Sequence, residues 1–398
     1  MHEQTFRIEQ RRRLVLKRGK ERVVANRHPW IFAGAIARES GPADAALADL
    51  VDDDGNVIAS GFHSRHSQIR LRALTFGGEP LTEDVLRARI QAAVARRAHV
   101  LGAEGTNCAR IIHAEGDELS SLVVDKYDDL LVVEIANSGV EQLQALVIDA
   151  LRAELSPRVI YFKNDLPVRK LEQLSTESRW EGEGEPVADV RENGLTFRVD
   201  PREGQKTGFF LDQRENRALT RTLAQGRRTL NLFSYTGAFG VYAATGGAAS
   251  VTNVDVSSRA IELARVNHEL NGVAGEFIVA DAFQFVRERA VAKQRWDFVV
   301  CDPPAFAKSR HDVDRAARGY KDMNIYALRL AEPGGLVMTY SCSGHISLDL
   351  FQKIVFSAAV DAGRRVSIVR RLTAGPDHPV SLYCPEGEYL KGFLLEVH

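Results

Sequence analysis

Two residues in the second half of the chain, Asp302 and Cys342, have the types and surroundings needed for covalent chemistry on a flat ring. Asp302 begins the turn Asp302-Pro-Pro-Ala-Phe306 after an apolar, strand-like run, and its prolines rigidify that turn. Cys342 follows a second such run, among small polar residues in Tyr340-Ser-Cys-Ser-Gly344. Cysteine is an intrinsically strong nucleophile once it is ionised. The pattern predicts Cys342 as a nucleophile and Asp302 as a hydrogen-bonding partner of the ring.

A pyrimidine is the ring that most needs such a nucleophile. Carbon 5 of cytosine reacts poorly with a sulfonium methyl group, whereas addition of the Cys342 thiolate at carbon 6 creates an enamine whose carbon 5 is reactive. Asp302 close to ring N3 would stabilise the adduct, and a base must later remove the proton from carbon 5. The sequence does not identify that base.

The other three cysteines lack this setting. Cys301 ends an apolar strand and is expected in the core, and neither Cys108 nor Cys384 follows a comparable strand. Because the four cysteines include no Cys-x-x-Cys pair, the sequence predicts neither a disulfide framework nor a bound metal.

Strand-like and helix-like runs alternate from about residue 228 onward, which predicts an α/β fold with a mostly parallel sheet. Ligands of such sheets bind at the carboxyl ends of the strands. The loop Asn231-Leu-Phe-Ser-Tyr-Thr-Gly237 follows the first strand, and Asp255, Asp281 and Asp302 follow the next three. Asp255 lies 18 residues after Gly237, near the spacing at which a carboxylate accepts ribose hydroxyls, and Asp281 could accept from an adenine amino group. Without a phosphate-binding glycine motif, the loop favours a nucleoside ligand.

The elements expected in this half are strands at 229–233, 250–254, 276–279, 297–301, 336–341, 366–369 and 393–397, and helices at 238–245, 257–271, 317–331 and 348–361.

The first half of the chain has a different pattern. Short β-like runs broken by glycine-containing turns fill about the first 80 residues, and an amphipathic helix is predicted over 81–100. Residues 110–190 indicate an α+β unit, and Glu181-Gly-Glu-Gly-Glu-Pro186 has the composition of an exposed connection. We therefore predict three domains, at 1–82, 83–188 and 189–398.

Charge and hydropathy limit the class of protein. The net charge is −1, but basic residues cluster near the N-terminus, as in proteins that meet nucleic acid. From this cluster we predict RNA contacts by Arg11, Arg12, Arg13, Lys17 and Arg18. No run approaches the roughly 20 apolar residues of a membrane helix, so a cytoplasmic protein outside the membrane is predicted. The sequence leaves the oligomeric state open.

The whole chain resembles the bacterial family of 23S ribosomal RNA cytosine-5 methyltransferases known as large-subunit methyltransferase I. Arg27-His-Pro-Trp-Ile-Phe-Ala-Gly34 is similar to the opening of that family's PUA domain, an RNA-binding β-barrel. Further blocks similar to the family's follow in the same order: Lys206-Thr-Gly-Phe-Phe-Leu-Asp-Gln-Arg214, Asn231-Leu-Phe-Ser-Tyr-Thr-Gly237, Asp302-Pro-Pro, Arg318-Gly-Tyr-Lys-Asp-Met-Asn324, Tyr340-Ser-Cys-Ser-Gly344, Asp377-His-Pro379 and Pro385-Glu-Gly-Glu-Tyr-Leu-Lys-Gly392.

The resemblance implies a class I (Rossmann-like) S-adenosylmethionine-dependent methyltransferase domain, preceded by a PUA barrel and a small α+β domain. It also implies S-adenosyl-L-methionine as cofactor, 23S ribosomal RNA as partner and Cys342 as nucleophile. The residues expected to bind the cofactor are Asn231, Phe233, Tyr235, Gly237, Asp255, Asp281 and Asp302, with Lys206, Thr207, Gly208 and Asp212 on a preceding loop. Arg318, Tyr320 and Lys321 are expected to contact phosphate or stack on a base.

The chain departs from the family pattern at two places. Some related RNA cytosine-5 methyltransferases carry a second cysteine just after the Asp-Pro-like turn to help release product, but here Ala305 stands there. In the middle domain, Ala114-Glu-Gly-Asp-Glu-Leu-Ser120 replaces a Gly-Glu-Ser-Asp-Gly-Leu-Pro-like turn and keeps its acidic residues.

Two other functions fit part of the pattern. Asp-Pro-Pro-aromatic turns also serve methylation of an exocyclic amine, which needs no thiol. A non-catalytic RNA-binding assembly factor is the second alternative, although Asp255, Asp281, Asp302 and Cys342 are all retained and count against it.

Overall fold

The computed structural model describes residues 10–307 and 309–398, and it divides the chain into two compact units. The first unit contains the chain up to Val190, Val199–Phe210 and Pro376–Gly387. The second contains Arg191–Arg198, Leu211–Gly375 and Glu388–His398. The first nine residues of the predicted 1–82 domain lie outside the described residues. The predicted limits at 82 and 188 stay predictions.

A six-stranded sheet forms the β-rich part of the first unit. Its elements are β1 (Arg11–Leu16), α1 (Arg22–Ala25), β2 (Trp30–Phe32), β3 (Ile36–Ser40), β4 (Leu47–Val51), β5 (Val57–His63) and β6 (Ile69–Phe76). The strands lie in the order β2-β6-β5-β4-β1-β3, and β1 is parallel to β4. The register of β5 on β6 shifts next to Gly61, where a Cβ would lie 1.9 Å from the Arg72 carbonyl oxygen. Glycine here allows the bend that closes a curled sheet.

An α+β part completes the first unit. Its elements are α2 (Glu83–Arg96), α3 (Ala98–Leu101), β7 (Cys108–His113), β8 (Leu122–Tyr127), β9 (Leu130–Ile135), α4 (Ser138–Gln142), α5 (Gln144–Leu155), β10 (Val159–Phe162), α6 (Pro167–Leu171) and β11 (Arg179–Gly182). The strands form one sheet in the order β11-β10-β9-β8-β7, and α2 packs against α5. The predicted helix over 81–100 is confirmed, with Thr82 accepting the Val85 N–H as its cap. One hydrophobic core runs through both parts of the unit.

Two buried arginine–aspartate pairs hold this core together. Arg97 donates to both oxygens of Asp117 at 2.6 Å each, and Arg110 donates to both oxygens of Asp125 at 2.7 Å each. Asp377 joins the two pairs, because its carboxylate accepts the Arg110 backbone N–H and its carbonyl accepts from the Arg97 guanidinium, both at 3.0 Å. The segment Pro376–Gly387 therefore completes a polar network that begins nearly 280 residues earlier.

The second unit is an α/β sheet with helices between its strands. A hairpin of β12 (Ala188–Glu192) and β13 (Leu195–Val199) leads into it. The elements that follow are α7 (Arg214–Leu223), β14 (Arg228–Leu232), α8 (Ala238–Thr245), β15 (Ser250–Asp255), α9 (Ser258–Leu270), β16 (Glu276–Val279), α10 (Ala282–Val291), β17 (Trp296–Cys301), α11 (Val313–Leu330), β18 (Ala331–Ser341), α12 (Leu348–Ala362), β19 (Val366–Thr373) and β20 (Lys391–Val397).

The seven strands lie in the order β16-β15-β14-β17-β18-β20-β19. The first five are mutually parallel, and β20 runs antiparallel between β18 and β19. This confirms the predicted α/β fold with a mostly parallel sheet. Among the residues described, no helix is long and apolar enough to span a membrane.

The sequence did not predict α7, because this helix buries a polar face instead of an apolar one. Its buried residues are Arg214, Asn216, Arg217 and Thr220. Arg217 donates to both oxygens of Glu192 at 2.8 and 2.7 Å, and the Tyr242 hydroxyl donates to the same carboxylate at 3.0 Å. Both partners are almost fully buried. The buried face of α7 is therefore held by an ion pair, and the sequence lacks the apolar spacing from which a buried helix is usually predicted.

We expect Arg217→Met to destabilise the protein by about 3–5 kcal/mol, because it removes the guanidinium that donates to both oxygens of the buried Glu192 carboxylate, which Arg214 approaches only at 3.5 Å. Urea unfolding followed by tryptophan fluorescence measures the change. Arg221→Met removes an exposed arginine from the same helix and is the matched control. Equal stability of the two variants would contradict the prediction.

Candidate active site

The carboxyl ends of the parallel strands β17 and β18 bring the two predicted catalytic residues to one edge of the sheet. Cys342, just after β18, is partly exposed, whereas Cys108, Cys301 and Cys384 are buried. The Cys342 S–H points to the carbonyl oxygen of Pro303, next to Asp302, at an S···O distance of 3.8 Å. Burial and the nearby Asp302 carboxylate raise the pKa of the Cys301 thiol, so Cys301 stays neutral in the core as expected.

The loops after β17 and β18 are tied together by one serine and one tyrosine. The Ser343 Oγ accepts the Ala307 backbone N–H at 3.2 Å and lies 2.9 Å from the Tyr320 hydroxyl. The same hydroxyl lies 3.4 Å from the Phe306 N–H and 3.5 Å from the Pro304 carbonyl. Burial raises the pKa of Tyr320, so the phenol stays protonated and can donate. These bonds fix the Asp-Pro-Pro turn relative to Cys342.

Lys391, at the start of β20, anchors the loop that follows Cys342. Its ammonium group donates to the carbonyl oxygens of Ser343 at 2.7 Å and Ile346 at 2.6 Å. Burial lowers the pKa of Lys391 to about 8. The sequence placed Lys391 inside a family-like block without assigning it a role.

Asp302 is positioned from a different segment of the second unit. The Gln213 side-chain amide donates to its Oδ2 at 3.0 Å, and Gln213 in turn accepts from Asn216 at 2.6 Å. Asn216 also donates to the Thr373 carbonyl at 3.1 Å. This series of hydrogen-bonded side-chain amides orients the Asp302 carboxylate at the carboxyl edge of the sheet.

The loop after β14 has the backbone of a ligand-binding turn. Phe233, Tyr235 and Gly237 all have positive φ, at 57°, 47° and 74°, and Gly237 is the N-cap of α8. One Asp255 oxygen accepts the Tyr235 N–H at 2.8 Å, and the other accepts the Ser257 N–H at 2.9 Å. Because an ionised carboxylate oxygen has more than one lone pair, each keeps acceptor capacity for a ribose hydroxyl. The geometry fits a nucleoside held by Asp255.

The remaining predicted residues of this crevice have structural partners. Asn231 is buried and donates to the Asn253 side chain at 3.0 Å, between β14 and β15. Asp281 is exposed and caps α10 by accepting the Gln284 N–H at 2.9 Å. A helix cap explains Asp281 by itself, so its contact with adenine stays a prediction.

Aromatic rings line the path between the β14 loop and the Asp-Pro-Pro turn. Phe233 contacts Phe283 with ring centroids 6.4 Å apart, and Phe283 contacts Phe306 at 6.0 Å. Phe306 continues to Tyr320 at 4.6 Å. Phe233, Phe283 and Phe306 are only partly buried, which leaves apolar surface that can pack on a flat ligand.

The predicted loop residues before β14 fall into different units. Thr207 and Gly208 belong to the first unit, where the buried Thr207 hydroxyl donates to Asp125 and lies 3.0 Å from the Tyr127 hydroxyl. Lys206 lies over the Phe210 ring at 4.5 Å. Asp212 belongs to the second unit and accepts from the Tyr389 hydroxyl at 2.5 Å. A cofactor contact by any of them stays a prediction.

The predicted RNA-binding residues differ in how their charged groups are engaged within the protein. Each residue of the N-terminal cluster has an acceptor within the first unit: Arg11 pairs with Asp49, Arg12 with Glu39 and Arg18 with Asp53, while Arg13 and Lys17 donate to the carbonyls of Gly55 and Gly34. On α11, Arg318 is exposed and Lys321 pairs with Asp361 at 2.7 Å.

The structure contradicts the prediction that Tyr320 stacks on an RNA base. Its side chain is fully buried between Phe306 and Phe351, so it has no open face for a base. Tyr320 lies on the buried face of α11, and its role is to orient the loops at the edge of the sheet.

Among the residues that the structure describes, one group of side chains that could ligate a metal lies together in the first unit: His28, Cys384 and Glu386, with ligand atoms within 4.8 Å of one another. The His28 Nδ1 accepts the Trp30 N–H at 3.1 Å, so in the neutral ring the proton is on Nε2, which faces Glu386 at 3.3 Å. Burial raises the pKa of the Cys384 thiol to about 12.

Sequence reasoning missed three residues of the site: Gln213, Ser343 and Lys391. Each lies inside a block that resembles the family, but its type alone gives no function. Their roles depend on contacts to residues 36 to 89 positions away along the chain.

Comparison with known families matches residues 112–383 to the S-adenosylmethionine-dependent methyltransferases and residues 14–76 to PUA-like domains. Relatives named ribosomal RNA large subunit methyltransferase I align along almost the whole chain. The Aeromonas salmonicida protein is 42% identical over 96% of this chain and 98% of its own length. The Shewanella denitrificans protein is 40% identical over 97% of this chain and 99% of its own length.

Solved structures share the fold. The crystal structure of SMU.776 complexed with SAH has a TM-score of 0.83, covering 97% of this chain and 100% of that one at 21% identity. This likeness shows the fold, and the family match identifies S-adenosylmethionine as the cofactor.

We expect Tyr320→Phe and Ser343→Ala each to destabilise the protein by about 1–2 kcal/mol, because each leaves a buried polar partner unsatisfied. The double variant should cost less than the sum of the two, with a coupling of about 1 kcal/mol. Chemical denaturation of the four proteins gives the cycle. Additive effects would show that the two hydroxyls do not act together.

Proposed function

Since this chain belongs to the family of ribosomal RNA large subunit methyltransferase I, we propose that it methylates carbon 5 of a cytosine in 23S ribosomal RNA through a covalent adduct with Cys342. The observation that carries the proposal is the position of Cys342. It is the one partly exposed thiol among the described cysteines, and it lies against the Asp-Pro-Pro turn at the ends of the parallel strands.

The β14 loop and Asp255 are the residues that would hold the cofactor. Asp255 is fixed by two backbone N–H groups and can accept the ribose hydroxyls, and the positive-φ backbone from Phe233 to Gly237 allows close approach of a nucleoside. Bound S-adenosylmethionine supplies an electrophilic methyl group. Its sulfonium cation needs no phosphate-binding motif, which agrees with the composition of this loop.

Cys342 and Asp302 divide the work on the cytosine. The Cys342 thiolate forms a bond to carbon 6, and the electron pair of the 5,6 double bond becomes available at carbon 5. The protonated form of the Asp302 carboxyl group donates a hydrogen bond to ring N3, and this proton neutralises the negative charge that N3 gains when the thiolate adds. After methylation, loss of the carbon 5 proton to a base re-forms the double bond and expels the Cys342 thiolate.

Release of the product proceeds without a second cysteine. Ala305 stands after the Asp-Pro turn, and Cys301 is fully buried with a raised pKa, so neither can act as the base. We propose that a water molecule or a group of the RNA takes the proton. The target base must leave its stack to expose carbon 6 to the sulfur, as in other base-modifying enzymes.

RNA contact outside the reacting base is attributed to the PUA-like region and to the exposed Arg318 on α11. Because Arg11, Arg12 and Arg18 are paired with carboxylates, their contribution to phosphate binding requires exchange of those partners. A ribosomal RNA substrate implies that the enzyme acts in the cytoplasm.

A second candidate reaction is methylation of a base amine at the same turn. The Pro303 and Pro304 carbonyls and the Asp302 carboxylate are acceptors of the kind that polarises an exocyclic amine. This route leaves Cys342 without a role, which makes the thiol the discriminating residue.

We expect Cys342→Ala to lose at least about a thousandfold of methyl transfer, because covalent activation of the ring is removed. The measurement is transfer of a tritiated methyl group to unmodified 23S ribosomal RNA, followed by nucleoside analysis. Wild type should give 5-methylcytidine. Cys301→Ala, which changes a buried core cysteine, is the matched control and should keep activity.

Three other outcomes are informative. Label in an N-methylated base that survives Cys342→Ala would establish the amine reaction. Label in 5-methylcytidine that survives it would contradict the covalent mechanism. No label on any ribosomal RNA, with cofactor binding intact, would favour a non-catalytic assembly factor.

We expect Asp255→Ala to weaken S-adenosylmethionine binding by about 10- to 100-fold, because hydrogen bonds between ribose hydroxyls and a charged acceptor are lost. Isothermal titration calorimetry measures the dissociation constant. Asp314→Ala removes an exposed carboxylate at the start of α11 and serves as the control. Unchanged affinity in folded Asp255→Ala would remove Asp255 from the cofactor site.

A further inference from the structure

Lys391 is a buried lysine whose position is set by the antiparallel ladder of β18 and β20. In that ladder Lys391 is paired with Ser341, the residue before Cys342. Residues directly opposite each other in such a ladder have Cβ atoms about 4.5–5.5 Å apart and point to the same face. The side chain of Lys391 is 4% exposed and therefore lies beside the start of the Cys342 loop.

The ammonium group has neutral acceptors in this loop. It donates to the Ser343 and Ile346 carbonyls, and among the described residues these bonds leave one N–H of the three. Two carbonyls satisfy hydrogen bonds but do not neutralise a buried charge. A buried cation in this position favours a nearby anion.

The charged and titratable groups around the ammonium identify that anion. Cys342 and Glu388 are the two that attract Lys391, and Glu388 is exposed, where water screens its charge. Tyr320 also faces the Cys342 sulfur, but burial raises its pKa and keeps it neutral. Asp302 is next to Pro303, whose carbonyl the Cys342 S–H contacts, and in its ionised form it opposes a thiolate. Of these groups, Lys391 is the one that favours a thiolate at Cys342.

The interaction works in both directions. Burial lowers the pKa of Lys391 to about 8, and attraction to the Cys342 sulfur acts against that shift. A Cys342 thiolate and the ammonium form of Lys391 stabilise each other by the same free energy. The effect is present while Lys391 carries its proton and is lost as the pH rises through about 8.

We propose that Lys391 is a positioning residue for the nucleophile: its buried ammonium holds the loop after Cys342 and stabilises the Cys342 thiolate. This rests on the proposed function, in which Cys342 attacks the base. The two roles separate in variants, because Lys391→Gln keeps a hydrogen-bond donor for the loop and removes the charge. Lys391→Arg keeps the charge at all accessible pH values.

The test is the rate at which iodoacetamide alkylates Cys342 in the full chain, from about pH 6 to about pH 9, read by peptide mass spectrometry. At pH near 7, Lys391→Gln should react about ten times more slowly than wild type, and Lys391→Arg within about threefold of it. Wild type and Lys391→Gln should converge above about pH 8. Cys342→Ala gives the background from the other cysteines.

Equal rates for wild type and folded Lys391→Gln at pH 7 would overturn the proposal. If Lys391→Gln does not fold, wild type and Lys391→Arg decide: a wild-type reactivity midpoint at or above the ordinary cysteine value of about 8.5 overturns the proposal, and a lower midpoint that Lys391→Arg preserves supports it. Alkylation uses neither RNA nor cofactor. Methyl transfer that survives Cys342→Ala would therefore defeat the proposed function without changing this result.

Discussion

A parallel sheet ends in loops whose polar backbone groups have no partner in the sheet, so those that are buried need partners from other loops or from side chains. In the second unit the Ser343 side chain meets this need for the two loops that carry Asp302 and Cys342. It accepts from one loop, belongs to the other and contacts the hydroxyl of Tyr320 on α11. The separation of Asp302 and Cys342 is therefore fixed by buried hydrogen bonds and not by apolar packing alone. Such bonds define one geometry, because a misplaced donor or acceptor in a dry interior costs about 1–3 kcal/mol.

The sequence predicted the fold where local pattern and tertiary structure agree. The apolar strands of the second unit and α8 at Ala238–Thr245 were predicted within a few residues, since short apolar runs between turns mark buried parallel strands. It missed α7, whose buried face is polar, and α10, the helix that Asp281 caps. It also missed the antiparallel insertion of β20, because the order of strands in a sheet leaves no mark on local periodicity.

The candidate site, like the fold, could be predicted from the sequence only in part. Strand ends share an edge in any parallel sheet, so Asp302 and Cys342 could be paired from their positions alone. Tyr320 was assigned to RNA because tyrosines often stack on bases, yet the face of α11 on which it lies is the buried one. Gln213, Ser343 and Lys391 act through contacts far apart in sequence, and a single sequence carries no record of which residues meet.

The arrangement of β20 has a consequence for the order in which a growing chain can mature. β18 and the Cys342 loop are made before β20, but β18 has its antiparallel neighbour, and Ser343 its buried cation, only after Lys391 has left the ribosome. The first unit has the same feature, since Asp377 joins the ion pairs of two arginines synthesised 267 and 280 positions earlier. Both units therefore draw on one late stretch of about twenty residues, and neither can complete its buried polar contacts during translation until that stretch has emerged.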